Sequence, residues 1–403
     1  MKSNKLYTLA FLASGLMLLN SCSKKQDDLT NLPVERKDAD KAQIIDYSTI
    51  SNDMVMEDRV NGVDYIINKN VEVSANLTIK PGVTIMFADG AGLQVNEEGS
   101  ITAIGAVSNE VYFTSQSGKR GAWKGITILS NNNHNVLSYC KIEHGGGTNS
   151  FGAANVIVGS GTNTATVEIS NCEITASYKD GVAISEGSTV KNFVANNIFT
   201  NAAFPISMNI ADAVNMENSN QFSNNGKEFI RVTASNTVTK PITLKNLSES
   251  FLVSGVITAA NSFTINAGSR VYMDNDAEVV IDGIEGTGSF NAIGTQSQPI
   301  TISAIYNGTG VWNSIKFRSS NSNNNHIEYC TISGGGMTNQ GWEGMVSVVN
   351  DNGGSSNIII RHSSIMNSAA TGIYIQSANS EYNSDITSSN TFTNCAKGDI
   401  HFE

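Results

Sequence analysis

Apolar residues recur at every second position in short runs along most of this chain: Leu77 and Ile79; Val83, Ile85 and Phe87; Leu93 and Val95; Val279 and Ile281. Alternation of period two turns one side of each run inward and predicts short strands, while helical spacing is almost absent. Between the runs lie many glycines and asparagines, which accept left-handed backbone and tight turns. The pattern predicts an all-β chain rich in turns from about residue 51.

The runs are organised by repetition. Asn76-Leu-Thr-Ile-Lys-Pro-Gly-Val-Thr-Ile returns as Ser262-Phe-Thr-Ile-Asn-Ala-Gly-Ser-Arg-Val, Trp123-Lys-Gly-Ile-Thr-Ile as Trp312-Asn-Ser-Ile-Lys-Phe, and Tyr139-Cys-Lys-Ile as Tyr329-Cys-Thr-Ile. The offset stays near 190 residues, so the chain reads as an internal duplication with units 51–250 and 251–403, the second continuous with the first and lacking its last coils. Within the units a shorter motif returns about every 23 to 33 residues: Asn171-Cys-Glu-Ile, Asn197-Ile-Phe-Thr-Asn, Asn220-Gln-Phe-Ser-Asn and Asn390-Thr-Phe-Thr-Asn. That period suits the rungs of a solenoid. Strands pairing in parallel one rung apart would stack 13 or 14 rungs over roughly 65 Å. Asparagines at the corners are expected to stack in ladders.

On Ile79-Lys-Pro-Gly-Val-Thr-Ile-Met-Phe, Gly121-Ala-Trp-Lys-Gly-Ile, and the Tyr-Cys-x-Ile and Asn-x-Phe-x-Asn rungs, the chain resembles the right-handed parallel β-helix, or pectin-lyase-like, superfamily. Within it, the chain resembles lipoproteins of Bacteroidota. The resemblance spans about residues 60–403 and implies a single-stranded right-handed parallel β-helix. It also brings polysaccharide lyases and glycoside hydrolases into view as functions. The catalytic sets of pectate lyases and polygalacturonases do not carry over. The only Asp-Asp pair, Asp27-Asp28, precedes the repeats, and no Gly-His-Gly occurs.

The N-terminus has a separate logic. Lys2 and Lys5 precede an apolar run, Leu6–Leu19, too short for a comfortable membrane span, and residues 1–21 read as a signal peptide. Leu19-Asn20-Ser21-Cys22 resembles a lipobox, which implies lipidation at Cys22. Residues 22–50 then read as a polar tether, whose Gln26-Asp27-Asp28 resembles a lipoprotein export signal. The expected location is the outer membrane, lipid-anchored and facing the cell exterior. A net charge of -11, with no Lys/Arg run in the mature chain, argues against nucleic acid as a partner.

Candidate chemistry is sparse. Cys140, Glu143 and His144 fall within five positions before a triple glycine, as a cysteine nucleophile and its base would. Strand alternation, however, turns Cys140 inward with Ile142 and Glu143 outward. Cys140 and Cys172, each two residues before an inward isoleucine, are then stacked core side chains, and Glu143 with His144 is an exposed edge open to ligand. Trp123 and Trp312, alike in both units, are expected to be packing anchors. Phe151, and Trp342 with Glu343, stand on loops after the two triple glycines and are candidate glycan contacts. Asp274, Asp276 and Glu278 alternate and would share one strand face, a candidate calcium site against the alternative of a solvated turn. No other cofactor and no catalytic residue is expected. The leading expectation is a non-catalytic envelope protein that binds glycan or a surface partner through loops on one side. The alternatives are a polysaccharide lyase or hydrolase, and an adhesive spacer without ligand.

Overall fold

The alternating runs form strands that pair with the strand three places on, or two places on between residues 197 and 253, never with their sequence neighbours. In the computed structural model, which describes residues 42–59, 62–337 and 344–403, Thr84–Phe87 pairs in parallel with Val111–Ser115. That strand pairs in turn with Cys140–Glu143, and Cys140–Glu143 with Glu173–Thr175. The result is an all-β body of parallel sheets, a β-helix-like solenoid. Its longest sheet has 14 strands, from Thr49–Ile50 to Thr391–Cys395, so the stack runs roughly 62 Å at the spacing of parallel ladders.

Inward residues meet their own kind one rung away. Ile85, Phe113, Ile142, Ile174, Ile198 and Phe222 form one column in register, all buried. Such columns merge into one continuous core that runs from Ile45 to Ile386. Residues 43–50, expected in the tether, belong to this body instead. Gln43–Ile45 and Thr49–Ile50 are its first strands, because Ile45 and Ile50 have inward positions to fill.

The matched segments do not occupy matching faces. Cys140–Glu143 lies in an eight-stranded sheet, whereas Cys330–Ser333 lies in the 14-stranded one. Ile126–Ile128 lies in the 14-stranded sheet, and Ile315–Arg318 in a six-stranded one. The change comes near residue 210. There a six-stranded sheet ends at Thr189–Val194, and a 3-10 turn, Ile210–Asn215, takes the place of its next strand. Asn209 starts that turn by accepting from the Ala211 N–H at 2.9 Å, while Ile210 and Ala213 fill the interior.

Candidate functional site

Cys140 stands just after a sharp corner of its rung. Tyr139, just before it, has a φ of 50°, which turns the chain in a single residue. The Cys140 Sγ donates to the Ala103 carbonyl at 3.4 Å, and the Cys172 Sγ to the Leu137 carbonyl at 3.4 Å. One and two rungs on, asparagines do the same: Asn196 Nδ2 donates to Ile169 O at 3.2 Å and Asn220 Nδ2 to Phe193 O at 2.8 Å. The asparagine Oδ1 also accepts the backbone N–H of the rung before, from Cys172 at 3.0 Å and from Asn196 at 3.2 Å. The expected asparagine ladder is therefore present, with Asn196 and Asn220 among its members. The thiols are members of that ladder as well as core fillers. Burial, then the neighbouring Cys172, pushes the Cys140 thiol well up, the opposite of what a nucleophile needs. All four described cysteines are free thiols.

Glu143 faces away from the thiol, as alternation requires, yet it is not an exposed edge. It is 8 % exposed, because Tyr112 and Thr114 on the preceding rung cover it. Its Oε1 accepts from the Tyr112 hydroxyl, from Thr114 Oγ1 at 2.9 Å and from His144 Nδ1 at 3.2 Å. Burial alone would raise this carboxyl. The bonds from His144, Tyr112 and Thr114 outweigh it and hold Glu143 at about 2. Lys141 bridges the cluster to Glu173 at 3.1 Å. With its acceptor filled, Glu143 fixes the turn that follows.

That turn builds a cleft. Trp123, fully buried, stacks on Phe87 at 4.0 Å and donates from Nε1 to the Glu143 carbonyl at 2.8 Å. Its own carbonyl accepts from Gly147 N at 2.8 Å, so one tryptophan grips both ends of the triple glycine. A side chain at Gly145 would put its Cβ 2.6 Å from Asn155 Oδ1, which is why glycine is needed there. Beyond Gly147 the loop closes on itself: Asn149 Oδ1 accepts from Phe151 N at 2.7 Å, and Asn149 Nδ2 reaches the Lys124 carbonyl at 3.4 Å. Between this loop and the outer face of the 14-stranded sheet lies a cleft of about 140 Å³, lined by Asn70, Gln94, Lys124, Thr127, Asn149 and Phe151. Phe151 was expected from the sequence. Lys124 and Gln94 were not, although Lys124 directly follows the tryptophan that anchors the loop. In the second half Trp312 is likewise fully buried and donates to the Ser333 carbonyl at 2.9 Å. Both tryptophans are packing anchors, while Trp342 and Glu343 lie outside the described residues.

The three alternate carboxylates do not share a face. Asn275 and Asp276 form a turn, with Asp276 at a φ of 60°. Asp274 accepts from Ser254 Oγ at 2.9 Å, whereas Glu278 pairs with Lys316 at 2.9 Å on the next strand. Among the described residues no group of three His, Cys, Asp or Glu side chains is placed to hold a metal ion. No family model matches this chain, nor does any curated protein or solved structure.

Proposed function

We propose that this chain is a non-catalytic carbohydrate-binding solenoid of the right-handed, pectin-lyase-like kind. In this reading it is a product of internal duplication, and a lipid on Cys22 displays it on the exterior of the outer membrane. The cleft beneath residues 148–151 carries the binding reading. It offers amides from Asn70, Gln94 and Asn149, the Thr127 hydroxyl, the Lys124 ammonium and the Phe151 ring. Mixed donors and acceptors beside an aromatic face are the groups that hold a sugar ring. The column Thr127, Ile157, Ala183, Ser207 runs in register from the cleft along the solenoid, its first two members buried and its last two half-buried. The two tryptophan anchors and the shared Tyr-Cys corners support the duplication.

A glycan array with the full chain tests this reading. Binding that falls about tenfold or more in Phe151→Ala and Lys124→Ala agrees with it. Absence of all glycan binding points to a spacer instead.

A second reading, a glycoside hydrolase or polysaccharide lyase, draws on one pair of carboxylates. Phe229 pairs with Ser250, so Glu228 and Glu249 stand side by side where these adjacent strands begin. Burial, then Glu228, raises the Glu249 carboxyl against the opposing pull of Arg270. A raised acid beside a second carboxylate is the pair such chemistry uses. Reducing or unsaturated ends released from a polysaccharide, and abolished in Glu249→Gln, would replace the binding reading.

A further inference from the structure

The corner that leads into the 14-stranded sheet is basic, although the chain as a whole carries a net charge of -11. Lys119 and Arg120 protrude on one rung, Lys179 two rungs on, and Lys227 two rungs beyond that, all exposed. Backbone bonds fix their alignment. Gly121 N and Tyr178 N both donate to Gly145 O, at 3.1 and 3.0 Å; Ala203 N donates to Lys179 O at 2.8 Å, and Lys227 N to Ala203 O at 2.9 Å. The rungs between the cations therefore present Gly145, buried where Tyr178 reaches across it to Gly121, and Ala203, whose side chain is short. Cations recur every second rung, about 9.6 Å apart, along a ridge roughly 19 Å long.

These cations are not committed to the fold. Among the described residues none of them holds a carboxylate, whereas Lys69, Lys141, Lys245, Lys316, Arg318 and Arg361 all do. Glu249 ends the ridge one rung beyond Lys227, beside Glu228 and Arg270, and the other nearby acids are turned to other partners. Asp180 is buried on Phe204 N and Ser207 Oγ, Glu228 accepts from Asn225 N, and Asp89 is held by Ser117. Aromatic faces lie between the charges. Tyr178, 57 % exposed, leans over Gly121, where a Cβ would come within 2.9 Å of it. Phe204 lies under Lys227 at 5.0 Å and Arg231 at 5.5 Å.

We infer that this ridge binds a linear anionic glycan in which every second sugar carries the charge. The inference rests on the carbohydrate reading above and names the ligand class. A linear glycan advances by roughly one rung per sugar, so an acidic sugar in each disaccharide repeat meets a cation on each second rung, and the uncharged sugar crosses Tyr178, which covers Gly145, or Ala203. Carboxylate and sulfate would both satisfy the ridge, because lysine and arginine bind either by charge-assisted hydrogen bonds.

The test is fluorescence anisotropy of the full chain with labelled oligosaccharides of hyaluronan, which carries a carboxylate on every second sugar, of kappa-carrageenan, which carries a sulfate on every second sugar, and of polygalacturonate, with dextran as the neutral probe. Hyaluronan or kappa-carrageenan binds, dextran does not, and polygalacturonate, charged on every sugar, binds no tighter. Which of the first two binds tighter separates carboxylate from sulfate. Affinity falls for oligosaccharides shorter than about five sugars, the length of the ridge. Arg120→Gln with Lys179→Gln and Lys227→Gln weakens binding about tenfold, whereas Lys80→Gln with Lys191→Gln and Lys240→Gln, an equal change in net charge, leaves it intact. Equal melting temperatures of the two triple variants separate lost contact from lost fold. Unchanged binding in the ridge variant overturns the inference, as does tighter binding of single-stranded DNA than of either glycan. Dextran-type neutral glycans bound at the cleft with no hyaluronan or kappa-carrageenan bound would overturn the ridge and leave the carbohydrate reading standing. No glycan bound at all would overturn both.

Discussion

Replacing Glu143 by glutamine removes one charge from a site built around it. The wild-type carboxyl is held at about 2 against an ordinary 4.5, by bonds from His144, Tyr112 and Thr114 that prevail over burial. A depression of that size corresponds to about 3 kcal/mol of folding free energy, and screening by water along the His144 and Lys141 side reduces it to about 2 kcal/mol. The sign follows from the direction of the shift. A carboxyl with a folded pKa below its unfolded one stabilises the fold above about 4.5, and that contribution disappears as pH falls toward 2. Glu143→Gln should therefore be less stable than wild type by about 2 kcal/mol at pH 7, with the gap closing between pH 4.5 and 2. Urea unfolding across this range measures it, and hydrogen exchange in residues 140–147 localises it if the solenoid unfolds in parts. An equal gap at pH 7 and pH 2, or none at pH 7, would refute the reasoning.

Three further outcomes are expected. Asn196→Ala leaves the Cys172 N–H and the Ile169 carbonyl without their ladder partner, and urea unfolding should show a loss of about 1–3 kcal/mol. Trp123→Ala and Trp312→Ala should each cost about 3–5 kcal/mol by the same assay, but only the former should abolish glycan binding at the cleft. Alkylation of the native protein should label Cys395, which is partly exposed, well before Cys140, Cys172 and Cys330, which are buried; burial pushes the Cys330 thiol up to about 12. Mass mapping after a short pulse reads the order.

Much of the fold was legible because each rung repeats the same local rule. Val83, Ile85 and Phe87 alternate, and the solenoid repeats that alternation, so inward and outward sides followed from parity. The asparagine ladder was expected from the corners but its members were not legible, since Asn196 and Asn197 are adjacent and only the pairing of Asn197 with Gln221 distinguishes them. The change of face between the halves left no local mark, because a matched segment keeps its strands whichever sheet they join. Glu143 was misjudged because alternation gives a direction, while its cover, Tyr112, comes from 31 residues away. The cleft was half visible. Phe151 stood out as a loop aromatic, whereas Gln94 and Lys124 become neighbours only when Trp123 folds the loop back over the sheet.

The most direct test of carbohydrate binding at the outer face of the 14-stranded sheet is hydrogen exchange of the full chain, with and without the tightest glycan from the array. The account expects added protection in residues 124–128 and 148–152, joined by the ridge segments 119–121, 178–180 and 226–229 for an anionic glycan, with the remote corner around residues 326–333 unchanged. Protection confined to other segments, or a chain that binds no glycan and shows no change, would contradict it.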